Sequence, residues 1–292
     1  MGCRSMSLSS PVVATQSPGP DVSALESRLR TDIAAQRLKL PVLPNVALEV
    51  LSSTLDDAAD AQRLANLIQK DQSLATHVMR VVNSPLFRGS MEIVALQQAI
   101  ARLGMVRIRE IALTASLKNA LPAKCSFQLL MDEAWQLGFA TGLWAKEFAR
   151  TTRKNVEISS LGGLLYNVGS SLIAVELSKR EPSPSLGDAK YLMASLGSES
   201  GAALVDNWKL PAVVGTCIQY VGDFGNAPGN KDEVATVEAG RAVAVAMRQD
   251  TIDADQIVEL DAVQHLNLYP EDIEELLAKS EQISNALESM IL

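Results

Sequence analysis

The chain has 292 residues, 47% of them hydrophobic and 21% charged, with a formal net charge of −8. These are the proportions of an ordinary soluble globular protein, long enough for one large domain or two smaller ones. With 26 basic against 34 acidic residues, a dedicated nucleic-acid binder is disfavoured unless the basic groups gather on one face. Cys3, Cys125 and Cys217 are odd in number and lack CxxC or CxH spacing, which suggests neither a disulfide framework nor a zinc cluster.

Residues 1–20 are rich in Ser, Pro and Gly and read as a disordered leader. They lack the uninterrupted apolar region of a secretory signal, and charged residues are read as interrupting every run that approaches the roughly 20 residues of a membrane helix. A cytoplasmic location without membrane contact is therefore the expectation.

Asp21 is placed to cap a first helix with Leu25, Leu29 and Ile33 along one side, and Leu40-Pro-Val-Leu-Pro44 reads as a rigid turn before a second. Asp60 caps a third helix carrying Leu64, Leu67 and Ile68; a fourth, with Leu74, Val78, Val81 and Val82 inward, stops at Asn83-Ser84-Pro85. Apolar spacing resumes from Ile93 to a terminator at Gly104, and a further helix runs on towards Pro122. The second half starts with a long helix over about Phe127–Thr151. Leu161–Leu177 follows, read as one deeply buried helix whose Gly162, Gly163 and Gly169 let other helices approach. Helices ending near Trp208 and starting at Pro211, then helices over Glu233–Met247, Ala254–Leu266 and Glu271–Leu292, complete an all-α chain. Its organisation reads as a helical domain over 21–249, with lobes at about 21–122 and 123–249, and an acidic helical segment over 250–292.

Metal-assisted hydrolysis draws on clustered His, Asp and Glu, but the two histidines, His77 and His265, are isolated and neither is followed by Asp. Both read as structural or surface residues. Gly225–Lys231 has the wrong spacing for a phosphate loop, and Gly197–Gly201 carries Glu199 where a nucleophile elbow needs Ser. No cofactor-binding or catalytic motif remains. Charge is more informative: between Gln72 and Lys124 there are 7 basic and 2 acidic residues, whereas Asp250–Leu292 has 11 acidic residues and Lys279 alone. Solvated helix faces account for this plainly. A sharper reading is a basic face that receives an acidic partner, a phosphorylated ligand or the chain's own C-terminal segment.

The runs Leu40-Pro-Val-Leu-Pro-Asn-Val-Ala, Ile68-Gln-Lys-Asp-Gln-Ser-Leu, Val81-Val-Asn-Ser-Pro-Leu-Phe87 and Ala99-Ile-Ala-Arg-Leu-Gly-Met-Val-Arg-Ile-Arg109 resemble, in order and spacing, the bacterial HDOD domain. Trp135, the Gly162–Ile173 stretch and Gly201–Pro211 extend the likeness over roughly residues 38–225. It implies an all-α relative of the HD metal-dependent phosphohydrolases, working in bacterial signalling and often linked to cyclic-di-GMP pathways. Where an HD enzyme carries its ligands, this chain is similar in position but has Tyr166-Asn167 for His-Asp, Leu137, and near the later histidines Gly197, Val221 and Gly222. These side chains cannot replace imidazole and carboxylate around a divalent ion. The resemblance thus implies a non-catalytic scaffold that binds a signalling protein, without metal or cofactor, with Arg80, Arg88, Arg107 and Arg109 as its candidate contact surface. Asn83 reads as a helix cap rather than a ligand contact. The alternatives are a binder of a phosphorylated small molecule such as a cyclic dinucleotide through the same arginines, a residual phosphohydrolase using Asp132, Glu133 or Glu176, and, more weakly, a DNA binder.

Overall fold

The computed structural model describes residues 19–38, 44–54, 60–85, 87, 91–120 and 125–291, and among them every regular element is helical. Residues 1–18 of the proposed leader and 40–43 of the proposed turn lie outside the described residues, and Pro20, the last residue assigned to the leader, already belongs to α1. The helices are α1 (Pro20–Ala34), α2 (Asn45–Thr54), α3 (Ala61–Ile68), α4 (Gln72–Val82), α5 (Leu96–Ala120), α6 (Gln128–Thr151), α7 (Val156–Leu165) and α8 (Val168–Ser178). They continue with α9 (Leu186–Asn207), α10 (Ala212–Tyr220), α11 (Lys231–Gln249), α12 (Ala254–Val258), α13 (Asp261–His265), α14 (Pro270–Leu277) and α15 (Ser280–Ile291).

Two compact units divide these helices. One takes the described residues within Met1–Leu38 together with Ser126–Leu277; the other takes those within Lys39–Cys125 and Ala278–Leu292. In the first, α6 packs on α7 and α11 while α8 packs on α9, around a core that includes Trp144, Phe148, Leu165 and Val243. The short helices α12–α14 join this unit through α11 and α6. In the second, α2, α3 and α4 pack on α5, burying Leu51, Leu64, Val78 and Ile111.

Local chemistry sets the helix ends. Asp60 and Asp71 accept hydrogen bonds from the backbone amides of Arg63 and Leu74 at 2.6 and 3.0 Å, closing the first turns of α3 and α4. Gly104 (φ 77°) kinks α5 where the sequence reading placed a terminator. Asp21 is not the cap of α1: Gly19 precedes the helix without a side-chain bond, and Asp21 sits in the first turn, where its charge favours the positive helix end.

The larger correction concerns Leu161–Leu177, which is two helices broken at Tyr166-Asn167 rather than one. Asn155 caps α7 through the amide of Ile158 at 3.0 Å, and the Asn167 side chain is drawn sideways to donate to the carbonyl of Ala134 on α6 at 3.4 Å. Close backbone packing holds as expected, since a Cβ at Gly163 would stand 2.7 Å from the Cα of Gly142. Val156–Ser178 is also apolar and long enough to cross a membrane by length and composition, contrary to the expectation that charge interrupts every such run. Its most apolar window is 89% buried inside the protein, which makes it a core element here.

Candidate functional site

The break between α7 and α8 opens one wall of a cleft of about 340 Å³ within the first unit. α6 contributes Leu130, Glu133, Ala134 and Leu137, the break contributes Tyr166 and Asn167, and α9 contributes Lys190, Met193 and Gly197. Val221 forms the rim after α10, and Arg241 and Arg248 enter from α11. Of the positions at which the resemblance places metal ligands in an HD enzyme, Leu137, Tyr166, Asn167, Gly197 and Val221 are brought together in this cleft, whereas Gly222 is not in its lining.

The charged groups of the cleft are mostly cationic. Arg248 pairs with Glu133 at 3.2 Å, both partly exposed, and Lys190 is exposed. Arg241 is only 8% exposed, on the face of α11 that also buries Val237, Gly240 and Ala244. Its Nε finds no hydrogen-bond acceptor among the described residues. Glu238, one turn away, does not pair with it at close range; its carboxylate accepts the backbone amides of Gly222 and Phe224 at 3.0 and 3.2 Å and so shapes the loop beside the cleft rim. Burial raises the Glu238 carboxyl pKa, against the lowering effect of those amides and of Arg241. Burial likewise pushes the Tyr166 phenol well above its ordinary value, outweighing the positive charges of Arg241 and Arg248. At neutral pH Tyr166 is a hydrogen-bond donor, not a phenolate.

Donors suited to a divalent ion are scarce. Among the described residues no group of three or more His, Cys, Asp or Glu converges. Of the carboxylates considered for a residual hydrolase, Glu133 lines the cleft, Asp132 is exposed and accepts from Gln128 at 3.0 Å, and Glu176 lies outside the lining and pairs with Lys179. His265 meets Asp232 at 2.9 Å and stacks against Phe224 at 5.0 Å, away from the cleft lining. His77 belongs to α4 in the other unit. Cys217 is buried, its thiol pushed up to about 12 by desolvation.

The arginines of the expected contact surface separate in character. Arg80 is exposed on α4, and Arg88 lies outside the described residues. Arg107 pairs with Glu110 at 2.8 Å, its side chain 14% exposed, and lies over the Phe87 ring at 5.4 Å. Arg109 is 2% exposed and donates from Nε to the Thr54 hydroxyl at 2.9 Å and from Nη2 to the Thr54 carbonyl. It ties α5 to the end of α2 and presents no guanidinium to solvent. Asn83 ends α4 as expected and does more: its amide donates to the carbonyls of Ile93 and Met79 at 2.8 and 3.1 Å and accepts from the Ile93 amide at 2.9 Å.

Arg241 and Arg248 escaped the sequence reading, which weighed charge between residues 72 and 124. The available signal was Arg241 itself, a cation spaced four residues after Val237 and three before Ala244 on an apolar helical face.

Comparison with known proteins matches the HDOD domain to residues 40–224. An uncharacterized protein of Treponema pallidum (strain Nichols) is 23% identical over 223 residues, which are 71% of this chain and 42% of that protein. The chain thus spans about two-fifths of the length of this curated relative. Among solved structures, a candidate metal-dependent phosphohydrolase from Shewanella amazonensis SB2B superposes with a TM-score of 0.71 at 18% identity, covering 93% of this chain and 98% of that one. An HDOD domain protein of unknown function from Geobacter sulfurreducens gives 0.68 at 21% identity, covering 90% and 99%. A candidate signal transduction protein from Marinobacter aquaeolei VT8 gives 0.63 at 18%, covering 96% and 68%. At these identities the likeness carries the helical fold.

Proposed function

Because this chain belongs to the HDOD domain family, we propose that it is a non-catalytic signal-transduction domain that acts by docking a protein partner. The observation that carries this reading is the chemistry of the cleft. Leu137, Tyr166, Asn167, Gly197 and Val221, the positions to which the resemblance assigns the metal ligands of an HD phosphohydrolase, line one cleft, and the one carboxylate in that lining, Glu133, faces Arg248. Activation of water at neutral pH needs an ion that lowers the pKa of water bound to it. These side chains supply neither a ligand set for one nor a free base to replace it.

The partner surface belongs to groups that reach solvent. Arg80 keeps that role; Arg107 and Arg109 are assigned to holding α5 in place. A partner of acidic character, in a pathway that includes cyclic-di-GMP enzymes, fits an exposed cation on an α4 end fixed by Asn83.

The test has two parts. Elemental analysis of purified protein, with hydrolysis assays in manganese, iron and magnesium, is expected to find no stoichiometric metal and no turnover; either one sinks the non-catalytic reading. Affinity capture from the source cell, repeated with Arg80→Glu, is expected to lose its partner, and unchanged recovery counts against the surface.

A further inference from the structure

We propose that the cleft lined by α6, α8, α9 and α11 is an anion-binding site for a small phosphate monoester, held by Arg241, Arg248 and Lys190. In a chain with net charge −8, this cleft gathers three cations against one carboxylate. Glu133 is engaged with Arg248. That leaves Arg241 and Lys190 without an ion pair among the described residues, so the cleft is positive in an otherwise acidic protein.

Arg241 is the strongest element of the argument. A guanidinium is always charged, and removing one from water without acceptors costs several kcal/mol, so buried arginines are paired. Here the residue is 8% exposed, its Nε meets no acceptor among the described residues, and it lines a cleft open to a ligand. Oxygens of an incoming phosphate complete its hydrogen bonding, and the planar fork suits them geometrically. Tyr166 lines the same cleft as both arginines, where its phenol is a neutral donor to the same oxygens.

Size and lining narrow the ligand. About 340 Å³ lies at the lower end of the roughly 300–1,000 Å³ usual for small-molecule sites, which suits a single phosphorylated unit with one ring system better than a dinucleotide. Leu130, Leu137, Met193 and Val221 give that body an apolar wall. The inference rests on the reading that no catalytic metal occupies the cleft, and is independent of the docking of a protein partner.

Isothermal titration of the full chain in low salt and chelator, with inorganic phosphate, AMP and GMP as probes, tests it. One-to-one saturable binding of a monophosphate is expected, weakened about tenfold by Arg241→Gln, about threefold by Lys190→Gln, unaffected by Arg37→Gln, whose side chain pairs with Asp32 and is not in the cleft lining, and falling with added salt. Circular dichroism checks that each variant folds; if Arg241→Gln does not, the partly exposed Arg248→Gln and exposed Lys190→Gln carry the comparison. Absence of saturable heat at millimolar probe overturns the proposal, as does equal binding by all variants, which is adventitious ion binding. Binding that appears only when chelator is replaced by manganese overturns the metal-free reading of the cleft as well. Silence with and without metal overturns the anion site alone.

Discussion

Asn83 satisfies three backbone groups with one side chain, joining the end of α4 to the strand-like approach of Ile93 before α5. Its removal leaves the Ile93 amide and carbonyl without their partner in a partly buried place. Asn83→Ala is expected to destabilise the protein by about 2 kcal/mol, the amount typical of losing two or three such bonds when solvent cannot fully replace them. Asn83→Asp, which keeps the acceptor for the Ile93 amide but sets a carboxylate oxygen against the carbonyls of Ile93 and Met79, is expected to cost more than Ala does. Urea midpoints at constant slope measure both. Arg109 separates fold from function at the same scale. Arg109→Glu sets a buried carboxylate against the Thr54 carbonyl and hydroxyl that the guanidinium now fills, and a loss of about 3 kcal/mol or more is expected. A variant that stayed as stable as the parent yet lost its partner would return Arg109 to the contact surface.

At the scale of elements, α1 shows how a helix distant in sequence is fastened. Glu26 accepts from the Ser195 hydroxyl, from Arg30 at 3.0 Å and from the Tyr191 hydroxyl at 2.9 Å, while Arg30 also reaches Glu199, so α1 is pinned along α9. The Ser195 bond most of all, with Arg30 and Tyr191, holds the Glu26 carboxyl below its ordinary value of 4.5. A lowered carboxylate stabilises the fold above its unfolded pKa, and that contribution fades as pH falls below 4.5 through the folded value. Glu26→Gln is therefore expected to lower the melting temperature at neutral pH by roughly 2–4 °C, corresponding to about 1 kcal/mol for a partly screened group. The difference should close as pH falls through the lowered folded value, below which the parent carboxylate is itself protonated. A gap that persisted in acid would assign the effect to packing. The helices themselves were largely legible in the sequence because their ends carry local chemistry, as at Asp60, Gly104 and Pro211. The break at Tyr166-Asn167 was not. Apolar periodicity runs through it without interruption, and what draws Asn167 aside is a carbonyl on α6, 33 residues earlier.

Across the whole molecule the same division recurs. The resemblance groups Tyr166, Asn167, Leu137 and Val221 from the sequence, and the fold brings them into one cleft, whereas the cations of that cleft come from helices that only folding brings beside them. The core where α6, α7, α8 and α11 meet is mainly apolar, with buried hydroxyls such as Ser159 and Thr236 paired at 2.7 Å, and tight glycine contacts such as Gly163 on Gly142 fix the helix spacing. A metal bound at a hundred times its dissociation constant would add about 2.7 kcal/mol to stability, several degrees in melting temperature at roughly 2–4 °C per kcal/mol. The melting temperature is accordingly expected to be the same, within about a degree, in chelator and in excess manganese, iron or magnesium. Calorimetry resolves this more sharply than an activity assay, since it reports a bound ion whether or not hydrolysis follows. A manganese-dependent rise of several degrees would place ligands in the cleft that Leu137, Tyr166 and Asn167 do not supply, and would return the protein to the hydrolases.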